Sequence, residues 1–491
     1  MTLKKIAVIG LRRASGLSVV AALISAGACL SAAADPMSDT FQPDAFGTRS
    51  ALRQRTPGLT DPFGRECAMP RGTLSLEQAV DIALCLNPAT RTAWAAAHQQ
   101  AAALGSAESA WLPTITATDE ESRTYGHFVD VEGNPDTTPQ NTNDAALNLT
   151  WTLYDFGGRT GRISSARYLL DAAAQTASST VQQTVFNVVQ AYYGLLAGEA
   201  ALAAAKTAEE TARRSVEVAR ALQVGGVIGL GDVLQAETAY DQAVLARVQA
   251  DQTAKTSAGT LAVTIGVPAD QPLKLDAAQP VPTEVPALTA RMTDLMNAAM
   301  RQRPDLAAAL SQRDSAVADI TVARSVGRPS IAITGGHSRI ASTEVPLQNY
   351  SQIGVTLTVP IFTGFSVGYG VRQAQAEFET RDANVDQVRL NVSQQVWNGY
   401  YALDSANQQL VATATLVATA DKNQDVALGR YQSGVGSILD VLTAQAAAAS
   451  AAQTRITAEL NWEVSRAQLV LAIGRLYGAE PLTTSTGLPL P

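Results

Sequence analysis

Charged and reactive side chains are scarce in this chain. Asp, Glu, Lys and Arg make up 16% of its 491 residues, well below the roughly 25% that is typical of soluble domains. The net charge is -8, and no run of basic residues follows the N-terminus. Proteins that bind nucleic acid present concentrated positive charge, so this composition argues against a DNA or RNA partner.

Groups that carry chemistry are also few. The three histidines, His98, His127 and His337, are isolated, and no two of them are spaced as metal ligands. Asp155–Gly157 matches a kinase triplet without the other kinase motifs, and Gly157–Arg162 lacks the Lys-Ser/Thr pair of a phosphate-binding loop. The sequence therefore predicts a protein that is not an enzyme and that needs no cofactor.

Long apolar runs are confined to the N-terminus. Basic residues precede the apolar stretch Leu17–Leu30, and small residues follow it, so residues 1–34 are predicted to be a secretory signal peptide. Two alternative interpretations remain: Arg12–Arg13 is compatible with a twin-arginine signal, and Cys29 is compatible with a lipidated N-terminus. No later stretch has 18 consecutive apolar residues. Any membrane crossing by the mature chain would therefore use the strands of a closed barrel.

Two cysteines remain after the predicted cleavage, Cys67 and Cys85. An even pair in an exported protein is typical of a disulfide. This bridge would tie the N-terminal periplasmic segment, 35–73, to the first helix, Ser75 to Leu86. Two unpaired thiols are the alternative interpretation.

The most informative feature that the chain does have is an internal repeat. The matched pairs, each 208 positions apart, are Tyr192–Leu195 and Tyr400–Leu403, Gly226 and Gly434, Asp232 and Asp440, and Gly266 and Gly474. Upstream, the offset changes from 216 at Pro88 and Pro304 to 206 at Phe156 and Phe362, so the first hairpin is ten residues longer. A period near 210 is too long for a solenoid. The sequence predicts a duplicated structure, with repeats at 74–266 and 290–474, a linker at 267–289 and a tail at 475–491.

Each repeat contains a predicted strand hairpin, at about 114–154 and 330–362. Apolar and polar residues alternate strictly in Leu147–Leu153 and in Ile353–Val359, which is the pattern of a strand with one apolar face. In an exported protein this pattern fits an outer-membrane barrel, but four strands cannot close one, because the smallest barrels need about eight. Several copies of the chain are therefore predicted to share a barrel. The hairpin tips, Tyr125–Asn143 and His337–Asn349, are expected to be surface loops.

Two stretches without proline predict very long helices, at about 158–223 and 366–432. Shorter return helices are predicted at about 232–265 and 440–473. A 4-3-4-3 spacing of apolar residues marks the seam of a coiled coil, formed by Val181, Val185, Val188, Tyr192 and Leu195. At about 1.5 Å per residue, the first long helix would reach about 100 Å, which exceeds any single globular core.

Several short motifs give the chain a family resemblance over roughly residues 72 to 476. They are Leu74–Ala79, Asn87–Pro88, Leu112–Pro113, Leu153–Arg159, Arg430–Gly434 and Leu439–Leu442. With these motifs the chain resembles the TolC family of trimeric outer-membrane channel proteins. The resemblance implies an α+β fold in which a homotrimer forms a 12-stranded barrel in outer-membrane lipid, with four strands per chain. A long helical coiled-coil barrel would continue it through the periplasm.

The resemblance also implies partners and an aperture. A periplasmic adaptor protein would link the channel to an inner-membrane ABC exporter or proton-driven pump. Asp232 and Asp440 would line the narrow periplasmic end, with Tyr431 as a gate contact, although Asp is also a good helix N-cap. Six such carboxylates in a trimer would favour cations and bind a blocking ion. Some members add an Arg and a second Asp, where this chain has Gly436 and Thr443.

The turns between the long and return helices are the segments that the resemblance places against the adaptor. Their residues are Gly225, Gly226, Gly434, Val435 and Gly436. A plain helix-to-helix turn would use the same glycines, and this alternative remains open.

The cargo is predicted from one further motif. Cys85–Trp94, preceded by Cys67, is similar to the branch of the family that is associated with type I secretion of large proteins. The predicted function is therefore an exit duct for secreted proteins, and an outer-membrane component of a multidrug efflux pump is the alternative. A trimeric adhesive or structural coiled coil is a third hypothesis, but it would concentrate its strands at one terminus.

Overall fold

The computed structural model describes residues 44–56, 62, 72–126, 128–129, 133, 135–136, 139–276, 291–343 and 346–476. The predicted signal peptide, Cys29, Cys67, most of the linker and most of the tail lie outside the described residues, so these assignments stay predictions. The chain divides into two units at Thr48 and Arg49. The architecture below is that of the second unit.

Helices dominate the described residues. They are α1 (Thr48–Arg55), α2 (Leu76–Leu86), α3 (Pro88–Glu108), α4 (Gly158–Val224), α5 (Leu230–Ile265), α6 (Met292–Gln302), α7 (Pro304–Ser325), α8 (Ser366–Gln432) and α9 (Ile438–Ile473). The long helices α4 and α8 have 67 residues each, and the return helices α5 and α9 have 36 each. The two repeats therefore align without a gap over these helices.

Local sequence explains several helix starts. Ser75 accepts a hydrogen bond from the Gln78 amide, and the Ser75 amide donates to the Gln78 side chain, both at 3.2 Å. This capping box begins α2. Pro88 and Pro304 occupy the first turn of α3 and α7, where a missing N–H leaves no hydrogen bond unmade.

Four long strands form one antiparallel sheet. They are β1 (Thr114–Thr124), β4 (Gln140–Tyr154), β5 (Ser330–Ser342) and β6 (Gln348–Thr358), and a two-residue pair, β2 (Phe128–Val129) and β3 (Pro135–Asp136), lies between β1 and β4 in the chain. The order in the sheet is β1-β4-β5-β6, so the hairpin of the second repeat extends that of the first. Among the described residues, β1 and β6 each pair on one edge only.

The strands reach further into the hairpin tips than the sequence predicts. β4 begins at Gln140 and β5 continues to Ser342, inside segments that were expected to be loops. The consecutive residues Asn141 and Thr142 lie on opposite faces of β4, and both are polar. Without an apolar face, the alternation that identifies a strand is missing.

The strand register separates an apolar face from a polar one. Ile115 pairs with Leu149, while Trp151 pairs with Ile333, which pairs in turn with Val355. On this face Ile115 and Val355 are each 71% exposed. The opposite face carries Thr116, Asn148, Thr150, Thr334 and Thr356. One side of the sheet is therefore suited to lipid and the other to water.

The cores of the two repeats match. The first contains Val188, Leu195, Leu261 and Ile265, and the second contains Val396, Leu403, Leu469 and Ile473. Each member of one set lies 208 positions from its counterpart, and α2 and α6 cover the two sets in the same way. The predicted seam is confirmed, because Val181, Val185, Val188, Tyr192 and Leu195 are all buried.

One stretch of α4 is long and apolar enough to cross a membrane by length and composition alone. A single stretch of this kind carries little weight, because helices in packed bundles meet the same criterion. In this chain α4 contacts α3, α5, α7 and α9.

Candidate aperture at the helical tips

The two turns that join long and return helices have the same backbone geometry. Gly226 and Gly434 take positive φ values of 72° and 73°. Beyond them, the Val227 amide donates to the carbonyl of Leu222 at 2.9 Å, and the corresponding bond in the second turn is 3.0 Å long. This arrangement ends a helix with glycine in the left-handed region. The alternative interpretation of these two glycines, as turn residues, is therefore supported by their conformation.

The turns present aliphatic side chains to solvent. Val224 is 89% exposed and Val435 is 70% exposed, while Gly225, Gly226 and Gly434 beside them are exposed as well. The turns also lie close together, because a Cβ at Gly434 would be 4.0 Å from Val227 Cγ1. They form one surface, which we name the tip surface: Val224–Val227 and Gly434–Val435.

Asp440 is part of a capping box. Its amide donates to Ser437 Oγ at 3.2 Å, and the Ser437 amide donates to Asp440 Oδ2 at 3.3 Å. Ser437 is therefore the N-cap of α9, and the prediction that Asp440 could serve as the N-cap is wrong. The helix begins at Ile438, two residues before the predicted start. Asp440 is nevertheless exposed.

Asp232 occupies the same place in α5 but has different neighbours. The N-cap is Gly229, which has no side chain to receive the Asp232 amide. The Asp232 amide donates instead to the Gly229 carbonyl at 3.2 Å. Asp232 is half-buried, and its charge acts on Tyr431, as described next. The N-cap alternative is thus wrong for Asp232 too.

Tyr431 joins the two tips. Its side chain is 2% exposed and packs in a cluster with Val216 and Val233 from the first repeat and Val441 from the second. Burial raises the pKa of the Tyr431 hydroxyl, and the negative charge of Asp232 raises it further. The hydroxyl oxygen is buried and has no hydrogen-bond partner among the described residues. A buried polar group without a partner lowers the stability of the folded protein, so the Tyr431 hydroxyl destabilises the packing between the two tips.

A cavity of about 370 Å³ opens beside Asp440. Arg430, Gly436 and Thr443 contribute to its lining. Gly436 is half-buried, and a Cβ there would lie 3.0 Å from the Tyr431 amide nitrogen. A side chain at this position would therefore crowd the backbone of Arg430 and Tyr431.

Cys85, by contrast, lies far from the tips in the chain, on α2. It is 7% exposed and forms a disulfide. Cys67, its predicted partner, lies outside the described residues, so the pairing of Cys67 with Cys85 stays a prediction.

Sequence reasoning missed two features of the tips. Ser437 was not singled out, although Ser-x-x-Asp before an apolar run is a readable capping signal. A larger cavity of about 940 Å³ between the two helix pairs was also missed. Its lining is mostly Ala, Thr and Gln from α4, α5 and α9, and this composition has no distinctive pattern along the chain.

Comparison with known proteins agrees with this architecture. The family described as "Outer membrane efflux protein" matches residues 79–267 and 295–475, two ranges that overlap the predicted repeats at 74–266 and 290–474. Among curated proteins, Protein CyaE from Bordetella pertussis is 30% identical over 410 residues, covering 82% of this chain and 84% of CyaE. Outer membrane efflux protein BepC from Brucella suis is 24% identical over 373 residues, covering 75% of this chain and 78% of BepC.

Among solved structures, the CmeC outer membrane channel from Campylobacter jejuni has the same fold. The TM-score is 0.70 at 19% identity, over 86% of this chain and 95% of CmeC. The predicted α+β fold, with four strands and long helices, is confirmed. The chain belongs to the outer membrane efflux protein family and is an outer-membrane channel that extends into the periplasm.

Proposed function

We propose that three copies of this chain form one outer-membrane channel, which serves as the exit duct of a type I protein secretion machine. The observation that carries this proposal is the sheet, whose β1 and β6 each have one unpaired edge among the described residues. In lipid, every backbone N–H and C=O must find a partner within the protein. Pairing β6 of one chain with β1 of the next closes a barrel of twelve strands in a trimer.

The side chains of the sheet support the same arrangement. The face that carries Ile115, Trp151 and Val355 would contact lipid, and the threonine-rich face would line the water-filled interior. Apolar exposure of this extent has no role in a sheet surrounded by water.

The choice of protein cargo rests on similarity. The motif Cys85–Trp94 is similar to the secretion branch of the family. The chain is 30% identical to CyaE and 24% identical to BepC, which is named an efflux protein. We infer that the inner-membrane partner is an ABC exporter, reached through a periplasmic adaptor.

Efflux of small molecules is the second candidate function, because the family is described as outer membrane efflux proteins and relatives such as BepC are named for efflux. Deletion of the gene separates the two. We expect secretion of at least one large protein into the medium to be lost, while the inhibitory concentrations of antibiotics and dyes stay within about twofold of the parent. Unchanged secretion together with strong drug sensitivity would reject the secretion function and favour efflux through a proton-driven pump.

We further propose that Asp232, Asp440 and Tyr431 form the periplasmic aperture. Support comes from the position of the two carboxylates at the starts of α5 and α9, and from the packing of Tyr431 between the tips. Three chains would bring six carboxylates to one narrow opening, where they would attract cations.

Conductance in planar bilayers tests the aperture. The variant D232N/D440N should lose most of its cation selectivity and should no longer be blocked by a trivalent cation at the inner end. The control is Asp241→Asn, which removes the charge of an exposed residue further along α5. This variant should behave like the parent. Equal block of the double variant and the parent would place the aperture elsewhere.

The tip surface is the proposed adaptor contact, because Val224 and Val435 expose aliphatic side chains at the ends of the helices. Val435→Asp should abolish secretion without reducing the amount of channel in the outer membrane. The matched control is Val411→Asp. Val411 lies on α8, 24 positions before Val435, and its side chain is 56% exposed. Full secretion by the Val435→Asp channel would exclude this residue from the contact.

A further inference from the structure

Two contacts of the first repeat have no counterpart within the chain. The long helix α4 contacts α3 and α5 of its own repeat and also α7 and α9 of the second repeat. The long helix α8 contacts α7 and α9 of its own repeat, and α6 adds a short contact. Among the described residues, α8 is not packed against α3 or α5, the equivalents of α7 and α9 in the first repeat.

One of the two unmatched contacts joins α4 to α9. Val185 and Val189 of α4 are buried against Ala467 of α9. Further along, the Gln182 side chain donates to the carbonyl of Gly474 at 3.1 Å. We name this set of residues the repeat seam, because it holds the first repeat against the second.

The repeat itself identifies the missing partner surfaces. Since α4 and α8 are equally long, and α5 and α9 are equally long, an offset of 208 converts one contact into the other without gaps. Val189 becomes Trp397 on α8, and Ala467 becomes Gly259 on α5. The two residues are not in contact within one chain, since α8 is not packed against α5.

The side chains at these positions fit a contact between chains. Trp397 is 51% exposed and Tyr401 beside it is 49% exposed, with their ring centroids 4.9 Å apart. Gly259 has no side chain, and a Cβ there would meet only Ala269 of its own chain, at 3.6 Å or more. Within the chain, a medium residue meets a small one, Val189 against Ala467. The corresponding pair combines the largest side chain with the smallest, so volume is balanced in both contacts.

We propose that the exposed face of α8 around Trp397 and Tyr401 packs against α5 of a second copy of this chain at Lys255 and Gly259. This inference rests on the proposed homotrimer and assigns its subunit contact to specific residues. Repeating the contact three times closes a ring of six equivalent helix pairs, three made by repeat seams and three made between chains.

Charge distinguishes the two kinds of contact. In the repeat seam, Tyr193 hydrogen-bonds to the Glu463 carboxylate, and burial raises the pKa of both groups, that of Tyr193 to about 12. The corresponding pair between chains is Tyr401 and Lys255. The Lys255 side chain is 74% exposed, and its ammonium lies 2.6 Å from Asp251 Oδ2 of the same helix. In the proposed contact this ammonium would move towards the face of the Tyr401 ring, an approach that is favourable for a cation.

Disulfide trapping tests the contact in the full-length channel in outer membranes. The variant Trp397→Cys with Gly259→Cys should form covalent dimers and trimers on non-reducing gels, and neither single variant should do so. The control Val189→Cys with Ala467→Cys carries the equivalent pair within one chain and should give only cross-linked monomer. Native mass measurement of the parent channel is run alongside.

The outcomes separate the inference from the proposed function. A parent protein that is monomeric by mass would overturn both the trimer and this contact. A trimeric parent whose Trp397→Cys/Gly259→Cys variant gives no covalent multimer would overturn this contact alone.

Exchange of the packing pair gives a second test that does not depend on cysteine chemistry. Trp397→Val leaves a cavity and Gly259→Ala adds a methyl group against the indole, so each should lower the temperature at which the trimer dissociates. The double variant reproduces the Val–Ala pair of the repeat seam, so its trimer should dissociate at a temperature close to that of the parent. Purely additive effects in the double variant would show that the two residues do not touch.

Discussion

The two strand-to-helix junctions turn the backbone in the same way with different side chains. In the first, Phe156 and Gly157 take φ values of 51° and 98°, and in the second, Gly364 and Phe365 take 62° and 65°. Both junctions thus place two consecutive residues in the left-handed region, with the aromatic residue and the glycine in opposite order. The fold demands the turn, but it does not dictate which residue takes the more strained position.

The first junction is held by an arginine. Arg159 is 3% exposed and donates to the carbonyls of Ala110, Thr152 and Leu153, at distances from 2.6 to 3.3 Å. Its guanidinium also lies 4.2 Å from the ring centroid of Trp111. One side chain therefore ties the end of α3 to the end of β4.

At the offset of 208 that aligns α4 with α8, Val367 stands where the first repeat has Arg159. Valine has no side-chain donor, so it cannot bind the three carbonyls in the way that Arg159 does. The long helices differ in the same sense, since 22 of the 67 residues of α4 are buried but only 10 of the 67 in α8. The first repeat is completed by contacts within the chain, whereas the second leaves surfaces for lipid and for a neighbouring copy. The predictions below test this difference.

The largest effect is expected at the first junction. Arg159→Met should reduce the free energy of unfolding by about 3 kcal/mol or more, because three carbonyls lose a charged donor and hydrogen bonds of this kind contribute roughly 1.5–3 kcal/mol each. Urea unfolding in detergent, followed by circular dichroism, measures the loss. Arg162→Met is the control, since the Arg162 side chain is 56% exposed and only approaches Asp155, at 3.6 Å. Similar losses in both variants would contradict the role of Arg159.

At the second junction, a substitution should stabilise the protein in detergent. Phe365→Gly removes a side chain from a left-handed position, and relief of this conformation is expected to contribute about 1 kcal/mol. The matched variant Gly364→Ala introduces the same strain at φ 62° and should cost a similar amount. Thermal unfolding of both variants gives the comparison, and a destabilised Phe365→Gly protein would mean that the aromatic ring outweighs the strain.

The tips allow the same comparison on a smaller scale. Ser437→Ala removes the capping box of α9 and should cost about 1 kcal/mol. Gly229→Ser should create the equivalent cap on α5 and add roughly 0.3 kcal/mol, because Gly229 already has an extended conformation, φ -85°, and nothing lies within 4 Å of a new Cβ. Denaturant titrations measure both changes. A loss in the Gly229→Ser variant would indicate that the Asp232 side chain does not turn towards the new N-cap to complete the box.

The smallest effect is expected on the surface of α4. Hydrogen bonds from Arg213 and Arg214 lower the pKa of Glu210 from 4.5 to about 2. Because the folded-state pKa is lowered, this contribution to stability is present above pH 4.5 and disappears as the pH falls towards 2. The group is exposed, so salt should screen the effect. Melting temperatures of the parent and Glu210→Gln should converge as the pH falls through this range, and a constant difference would contradict the ion pairs.

Much of the fold could be predicted because its signals are local. The seam from Val181 to Leu195, the long runs without proline and the alternation in Leu147–Leu153 each follow from a short-range period that a helix or strand imposes. The constant offset of 208 extended these signals to the second repeat. Where the period was absent, as at Gln140–Asn143, the strand was missed.

The site was harder to predict, because its chemistry depends on contacts between distant segments. The assignment of Asp232 and Asp440 to the aperture stays a prediction. The alternative that they act as N-caps is wrong, because each helix begins two residues before its Asp. The burial of Tyr431 follows from packing against Val216 and Val233, which are more than 190 positions away in the chain. No pattern within one segment reveals such a contact.

By itself, the sequence determined the repeat, the long helices and the alternation of the strands, because these depend on interactions between residues a few positions apart. Only the tertiary structure decided which helix flanks are covered and which remain open, and which of two equivalent aspartates lies beside a buried tyrosine. The reason is that duplication makes the two halves locally alike. Their differences arise when one half packs against the other and the second half is left with one surface unpaired.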